Sequence, residues 1–530
     1  MSNEYQERSP HVSPATLALL LLIGAVGAGY YLTYLLNPAN QGDLIPYILV
    51  LLAESTIIFQ AFMAYWTILA GNYNPKDFQY VAARQRLFGT GKKLVDVSSP
   101  LYIRDETAAV DVYVTVYGEP LETVEQTATA ARDIIGKHET YILDDGESDA
   151  VKAMAERIGV GYIRRKEHKH AKAGNINHAL SVTNGEFFVV FDADHVPKPN
   201  FLQETMPFFA NSKTAFVQTP QFYVNTNNPI ARGAAFAQQL FYRFICTGKN
   251  RFNAVFCVGT NVVFRRSAVM EVGGIYQKSN SEDIWTSILL HEAGYLSVFI
   301  PDVLAEGQAP DTIAAYTKQQ LRWATGGFEI LFTHNPLRAK KMSLDQKMQY
   351  FTTVTFYLLG AAVALLFLVP PLAIFMDMTA VNASGSLFDW LLHYLAFYGF
   401  YFGVTIYCMN GFKFETLVLA SASFPTYVKA LWNVIAGKAV GWTATGKRLS
   451  ESPMNYLVPQ VLVFIFLCAS SIFGMYLVAT GKPFSLALIW NMFNTFVFGY
   501  YIRMALRSRA PQVTPTQQEA TAHKIAEGTA

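Results

Sequence analysis

Carboxylates are the residues of this chain whose spacing points most directly to chemistry. Asp192 and Asp194 stand two apart, straight after an apolar run of strand length, residues 187–191. On an extended chain, residues two apart point the same way, so their oxygens converge. Paired hard oxygen ligands of this kind suit Mg²⁺ or Mn²⁺, which takes one or two carboxylates and completes its shell with phosphate oxygens and water. For an isolated pair, the alternative is a surface loop that carries two acids. Two other apolar runs end the same way: 110–116 runs into Tyr117-Gly118-Glu119, and 141–143 into Asp144-Asp145-Gly146. Further on, Glu282 and Asp283 open a helical pattern over 284–293. The dipole of such a helix favours an ionised carboxylate at its start. With an aspartate reference pKa of about 3.9, Asp283 is expected to be deprotonated at neutral pH and able to accept a proton. Gln319, Arg322 and Trp323 are spaced i, i+3, i+4 and share one helical face. An arginine fork meets phosphate oxygens bidentately, and an indole is a flat surface for a sugar ring. On a helix at a membrane surface, the same two side chains also serve as snorkelling anchors.

The elements that must position these residues follow from the periodicity. Apolar runs at 110–116, 141–143 and 187–191 alternate with helical patterns at 121–135 and 149–158, which argues for a mostly parallel sheet covered on both faces. Ligands of such sheets bind beyond the carboxyl ends of the strands. Three neighbouring strand ends would thus bring acids to one edge, although acids there also cap the helix that follows. The segment 71–345 is long enough to bury its own core.

Its surroundings differ. The 530 residues are 52% hydrophobic and only 15% charged, with a formal charge of +2 and a mean hydropathy of +0.21. Soluble domains carry roughly 25% charged residues, so much of this chain faces something other than water. The near-neutral balance gives no reason to expect nucleic acid as a partner. Cys246, Cys257, Cys408 and Cys468 lack zinc or redox spacings and read as apolar packing residues. A bilayer core needs on the order of 20 apolar residues as helix. Six stretches reach that length: 15–36, 44–70, 350–376, 387–409, 456–479 and 484–506. The first is not expected to be a cleavable leader, because it is long, has Glu4 and Glu7 beside Arg8, and is followed at once by a second span. The links 37–43 and 377–386 hold no Lys or Arg, whereas the other side carries Lys340, Lys341, Lys413, Lys429, Arg503 and Arg507 among others. By the positive-inside rule both termini and the 71–345 segment are expected in the cytoplasm. Segments 312–333 and 415–437 mix aromatic and basic residues and are expected to lie at the membrane surface. Glu54 inside the second span calls for a polar path or, more simply, a hydrogen-bond partner. Aromatic residues crowd the fourth span. The polar tail 508–530 is expected to be disordered.

In order and rough spacing, Asp144-Asp145-Gly146, Asp192-Ala193-Asp194, Ser281-Glu282-Asp283 and Gln319-Gln320-Leu321-Arg322-Trp323 resemble the D, DxD, ED, Q(Q/R)xRW signature. That signature belongs to processive family-2 glycosyltransferases, among them the cellulose, hyaluronan and chitin synthases. Smaller matches point to the bacterial cellulose synthase catalytic subunit: Lys172-Ala173-Gly174-Asn175 is similar to its KAGN loop, Gln218-Thr219-Pro220 to its QTP(H) segment, and 442–447 to its FxVTxK gating loop. The resemblance covers roughly 30–507. Gln221 stands where a His is common, Ser281 replaces Thr, and Trp442 and Ala444 replace Phe and Val. No RxxxR signature follows the last span, so a PilZ domain is not expected.

The resemblance implies a GT-A-like (Rossmann-type) α/β domain, cytoplasmic and inserted between the transmembrane helices of a polytopic inner-membrane protein. Its expected parts are a helix pair in 1–70, the transferase domain in 71–345, four helices in 346–507 with a surface helix and gating loop at about 411–452, and the tail. It implies that Tyr117, Glu119 and Asp145 hold uridine and ribose with Asp144 in support, and that Lys172, Gln319 and Arg322 serve the donor. Asp192 and Asp194 would hold Mg²⁺ or Mn²⁺, Asp283 would be the general base, and Glu282 and Trp323 would meet the acceptor. His195 either touches phosphate or packs in its loop. The rest of the basic stretch from Arg164 to His170 reads as a solvated face. Trp442, Thr445 and Lys447 would form the gate. The expected partners are a UDP-sugar donor, UDP-glucose in the first place, the growing polysaccharide, the lipid bilayer and a periplasmic or accessory subunit. Alternatives in the sequence are a β-1,3 or mixed-linkage glucan synthase, a hyaluronan- or chitin-type synthase, a non-processive lipid glycosyltransferase, and a nucleotide-sugar sensor or transporter without turnover. If the gate reading holds, Trp442→Ala slows polymer formation in initial-rate assays; an unchanged rate removes that loop from the mechanism.

Overall fold

The structure, a computed structural model, describes residues 12–72, 74–89, 95–382, 387–438 and 452–508. The gate-like residues Trp442, Thr445 and Lys447, and all of the expected tail beyond Ser508, lie outside the described residues.

The central sheet has seven strands: β1 (Val110–Val116), β2 (Glu139–Asp144), β3 (Gly161–Ile163), β4 (Phe187–Asp192), β5 (Thr214–Gln218), β6 (Val262–Arg265) and β7 (Leu296–Phe299), in the order β7-β5-β6-β4-β1-β2-β3. Every neighbouring pair is parallel except those made by β6, which runs antiparallel to both β4 and β5. The sheet expected to be mostly parallel is therefore mixed at one strand. Successive side chains of a strand point to opposite faces, and both faces here are buried. Val112, Val114 and Val116 of β1 join Phe187, Val189 and Phe191 of β4 in one core, while Tyr113, Phe188 and Val190 enter the other. Each such side chain removed from water contributes about 1.5–3 kcal/mol, which is why these strands read as unbroken apolar runs. Register then does the work of positioning. Val116 pairs with Asp144, and Thr115 pairs with Asp192, so the acid-bearing ends of β2 and β4 flank the end of β1. A small sheet of Val196–Pro197, Phe222–Tyr223 and Ala305–Gly307 lies just past that edge.

Among the described residues, five helices are long and apolar enough to cross a membrane: Pro14–Leu35, Leu44–Leu69, Leu358–Met376, Phe388–Met409 and Met454–Ala479. The sixth expected span is the helix Leu486–Arg507, packed along Met454–Ala479 and less apolar than the other five, with Asn491 and Asn494 at mid-length and Arg503 and Arg507 near its end. The expected span 350–376 is broken: a helix Leu344–Thr355, opened by a reciprocal Ser343–Gln346 capping box, precedes Leu358–Met376. The surface segment 415–437 is likewise two helices, Phe414–Ala422 and Phe424–Ile435. Pro425 explains that break, since it lacks the N–H that would continue the first helix and suits the first turn of the second. The segment 312–333 is the single helix Ile313–Thr333. Glu54 has the partner expected of it: Tyr398 Oη donates to its Oε2 at 2.7 Å. The fourth-span aromatics Trp390, Tyr394 and Tyr398 stack on one another at centroid spacings of 4.9 and 4.4 Å.

The two halves are joined by backbone contact. A Cβ on Gly248 would overlap the carbonyl oxygen of Thr67 in the second membrane helix. Next to it, the buried Lys249 Nζ donates to Gln349 O at 3.0 Å and to Thr353 Oγ1 at 3.1 Å, and Gln349 Nε2 donates to Thr67 Oγ1 at 2.8 Å. Gly248→Ala is therefore expected to push the two halves apart at a cost of about 1–3 kcal/mol, the usual range for overpacking. A lower melting temperature of the detergent-solubilised protein checks this, and an unchanged one would show that the contact yields.

Candidate active site

At the end of β1, Glu119 turns back on its own loop, its Oε2 accepting from Tyr117 N at 2.6 Å. Burial raises its carboxyl above the ordinary value, and Asp194 and Asp192 nearby raise it further. At the end of β2 the two adjacent acids part company. Asp144 is fully buried: Oδ1 accepts from Gly146 N at 2.7 Å, and Oδ2 from Ser148 N at 2.8 Å and Tyr162 Oη at 2.7 Å. It builds the turn on which Asp145 sits. Asp145 faces the cleft, but Arg165 holds both of its oxygens in a fork, Nε to Oδ1 and Nη2 to Oδ2, each at 2.6 Å.

Arg165 also corrects the reading of the basic stretch as solvated, being only 7% exposed. Besides Asp145 it donates to Lys169 O at 2.5 Å and Ala171 O at 2.9 Å. It thereby straps down a turn in which His170 and Ala171 take φ of 63° and 42°, a left-handed conformation that non-glycine residues adopt only when the surroundings hold them there. The helix Ala171–Val182 starts at this turn and each polar residue of its first turns has a task. Lys172 Nζ donates to Asp192 Oδ1 and, at 2.7 Å, to Gly259 O. Gly174 leaves room for Arg165 and the Lys169 carbonyl, which a Cβ would strike. Asn175 Nδ2 donates to Leu143 O of β2 at 2.9 Å.

Past β4, the ligand atoms of Asp192, Asp194 and His195 lie within 4.8 Å of one another. Burial would raise the Asp192 carboxyl, but Lys172, His195 and Arg322 hold it below its ordinary value. Asp194 Oδ1 meets His195 Nδ1 at 2.8 Å. His195 packs over Gly307, and its Nε2 is buried without a hydrogen-bond partner. Two carboxylates and an orphaned imidazole nitrogen fit a divalent cation.

Gly259 links this group to the next. A Cβ placed on it would lie 3.5 Å from Asp283 Oδ2 and 3.8 Å from Lys172 Nζ. Asp283 sits in the first turn of the helix Glu282–Glu292, with Oδ1 accepting from Ile284 N at 2.7 Å. The expectation that it is fully ionised at neutral pH needs correction: burial, and then the Glu282 carboxylate, push it up to about 7. Arg322 and Lys172 counter that push in part. Arg322 acts from the helix Ile313–Thr333, where Gln319 hydrogen-bonds Tyr223 and Trp323 is half-buried. The structure brings Glu119, Lys172, Asp192, Asp194, His195, Glu282, Asp283 and Arg322 into one neighbourhood. Tyr117, Asp145, Lys172 and Glu282 line one open cleft of about 410 Å³, together with Glu329, which the sequence reading passed over. The reading also missed what Gln218 does. Its Nε2 donates to Thr260 O at 2.8 Å and its Oε1 accepts from Val258 N at 3.0 Å, holding the Gly259 loop in place. The signal for Arg165 was its position just after β3, at the same sheet edge as the acids.

Residues 187–410 match the family described as Glycosyl transferase family group 2. Over 287 residues the chain is 34% identical to the UDP-forming cellulose synthase catalytic subunit of Pseudomonas fluorescens (strain SBW25), a match covering 52% of this chain and 39% of that one. It is also 34% identical over 262 residues to the corresponding subunit of Xanthomonas axonopodis pv. citri (strain 306), covering 48% and 36%. A solved mannosyltransferase, PcManGT from Pyrobaculum calidifontis in complex with GDP-Man and Mn²⁺, shares 18% identity at a TM-score of 0.47, covering 73% of this chain and all of that one. A mixed α/β domain with acids gathered at one sheet edge, set among membrane-length helices, is the class that fold and site define. Over about half of its length the chain is similar to cellulose synthase catalytic subunits, and its residues 187–410 to family-2 glycosyltransferases. It covers less than two fifths of the length of each of these two relatives.

With Asp283 as the base, a carboxyl raised to about 7 would set the pH dependence. A raised aspartate pKa means that the proton-accepting form is lost as pH falls through about 7. The groups acting on it are Glu282, Arg322 and Lys172, with Cys257, Tyr242 and Tyr357 also within electrostatic reach. The rate of glycosyl transfer is therefore expected to climb with pH through neutrality. A rate already on its plateau well into the acid range would show that Asp283 is not the group being titrated.

Proposed function

We propose that the chain polymerises glucose from UDP-glucose into a β-glucan and passes the product across the inner membrane. The observation that carries the proposal is the meeting of Asp283 and the Lys172–Asp192 pair at Gly259, which faces a candidate base toward a candidate diphosphate site. Relatives named as UDP-forming cellulose synthase catalytic subunits support the choice of donor.

In this reading Tyr117, Glu119 and Asp145 take the nucleoside, with Arg165 fixing the rotamer of Asp145. Lys172, Arg322 and Gln319 face the diphosphate. Asp192, Asp194 and His195 would hold Mg²⁺ or Mn²⁺, which would supply charge to the departing UDP. The hydroxyl of the growing chain, stacked on Trp323 and steered by Glu282, attacks the anomeric carbon while Asp283 takes its proton. The bond from that carbon to the diphosphate oxygen breaks, so one displacement turns an α-linked donor into a β-linked product. General-base assistance of this type contributes on the order of 10²–10⁴ in rate.

The helix Ile313–Thr333 is what makes translocation plausible in physical terms. It carries Arg322 and Trp323 and packs along Phe424–Ile435 beside the helix Leu358–Met376, so a product chain leaving the cleft meets membrane helices directly. The proposed parts are the helix pair in 1–70, the cytoplasmic transferase domain in 71–345 and the later helices in 346–507, with both termini cytoplasmic. Asp283→Asn is expected to abolish polymer from radiolabelled UDP-glucose while UDP binding persists; retained synthesis would reject its role as base. Digestion of the wild-type product with linkage-specific glucanases separates this reading from a β-1,3 or mixed-linkage synthase.

A further inference from the structure

The turn that presents Asp283 has little structure of its own. Its first residues are tied back to the helix they precede: Tyr276 stacks on Trp285 at 4.3 Å between centroids, and Tyr276 N donates to Thr286 Oγ1 at 2.9 Å. Its crest is held from outside, by Glu329 of the helix Ile313–Thr333. Glu329 Oε2 accepts from Ser279 Oγ at 3.0 Å and from Asn280 N at 3.0 Å, and Oε1 accepts from Asn280 Nδ2 at 2.9 Å. One residue on, Ser281 rests against Gly326 of the same helix so closely that a Cβ there would overlap its side chain and backbone. Ser281 N in turn donates to Ser279 Oγ at 3.2 Å, and Glu282 and Asp283 follow at once.

Glu329 stands seven residues after Arg322, a spacing that returns to the same face of a helix. One rigid element thus carries the arginine beside the diphosphate site, the tryptophan proposed for the acceptor, and the carboxylate that grips the base-bearing turn. Its two oxygens accept three hydrogen bonds from residues 279 and 280, which fixes the turn at both its backbone and its side chains. We infer that Glu329 is a positioning residue: it fixes the distance between Asp283 and the Arg322–Trp323 face by clamping residues 279–281 to the helix. The inference rests on the proposed role of Asp283. Glu329 acts through the turn it holds.

The test uses the full-length protein in detergent, assayed for UDP release from UDP-glucose. Misplacing a reacting group by about 1 Å costs on the order of 10²-fold in rate. Glu329→Ala is accordingly expected to lower kcat by about tenfold or more while KM for UDP-glucose stays within about twofold. Glu329→Gln restores most of kcat, because the amide oxygen still accepts from Asn280 N and Ser279 Oγ. An unchanged kcat in the alanine variant, a KM that rises as far as kcat falls, or a glutamine variant as impaired as the alanine one would each overturn the inference. Should the alanine variant fail to fold, Asn280→Ala, which removes only the Nδ2 donor, is read the same way: a lower kcat at constant KM supports the clamp and an unchanged kcat refutes it. If Asp283→Asn keeps turning over, the reading of the base is at fault; if it is dead while Glu329→Ala is unimpaired, only the clamp is lost.

Discussion

Glu119, Asp192, Asp194, Glu282 and Asp283 lie within electrostatic reach of their neighbours in the group, and such a gathering of acids is unfavourable by itself. The site exists because cations are delivered among them from other parts of the chain. Lys172 arrives on the helix after β3, Arg322 on the helix that leans on the membrane segments, and His195 from the loop beyond β4. Their effect is uneven, and the unevenness sets the chemistry. Asp192, paired with Lys172, is held below the ordinary carboxylate value. Asp283, beside Glu282 and farther from compensation, is left close to neutrality, where a group accepts a proton in one step and gives it up in the next.

Delivering those charges requires backbone in places where side chains would not fit. Lys172 reaches Asp192 only because the turn before it is wound left-handed at His170 and Ala171, and that turn persists only because Arg165 accepts the task of holding it. Arg165 fits only because residue 174 has no side chain. Asp145 shares the same guanidinium. Asp145 and Lys172 are thereby parts of one rigid device, and a change at any of the four positions is felt at the others.

Much of this was legible before any coordinates. β1, β2 and β4 announce themselves as apolar runs because both faces of the sheet are covered, and acids at their ends mark the edge where ligands bind. What escaped was set by tertiary contact. β6 and β7 are short, and the antiparallel insertion of β6 depends on partners far away in sequence. Asp144 and Asp145 are neighbours in sequence with opposite fates, since adjacent side chains on extended backbone face opposite ways and nothing local says which of them faces the cleft. Arg165 looked like one more cation in a charged run; only its burial separates it from Lys166 and Lys169. The ionisation of Asp283 was misjudged for the same reason, because burial is a property of the fold. The break before Phe424-Pro425 was different: the proline was there to be read.

The helix Ile313–Thr333 decides how the two halves of the molecule communicate. On one side it touches the turn that carries the base, through Gly326 and Glu329; on another, Tyr427 of the helix Phe424–Ile435 donates to its Gln320 at 3.0 Å. At the opposite edge, Gly248 and Lys249 join the transferase domain to the second membrane helix and to Leu344–Thr355. The catalytic domain is therefore fixed to the membrane helices at two separated places, by contacts too close for a water layer. Under the proposed function, a polymer lengthened by one sugar moves relative to the site before the next addition. With the domain held at both edges, that displacement has to come from the chain itself or from small parts of the cleft, and not from a swing of the whole domain.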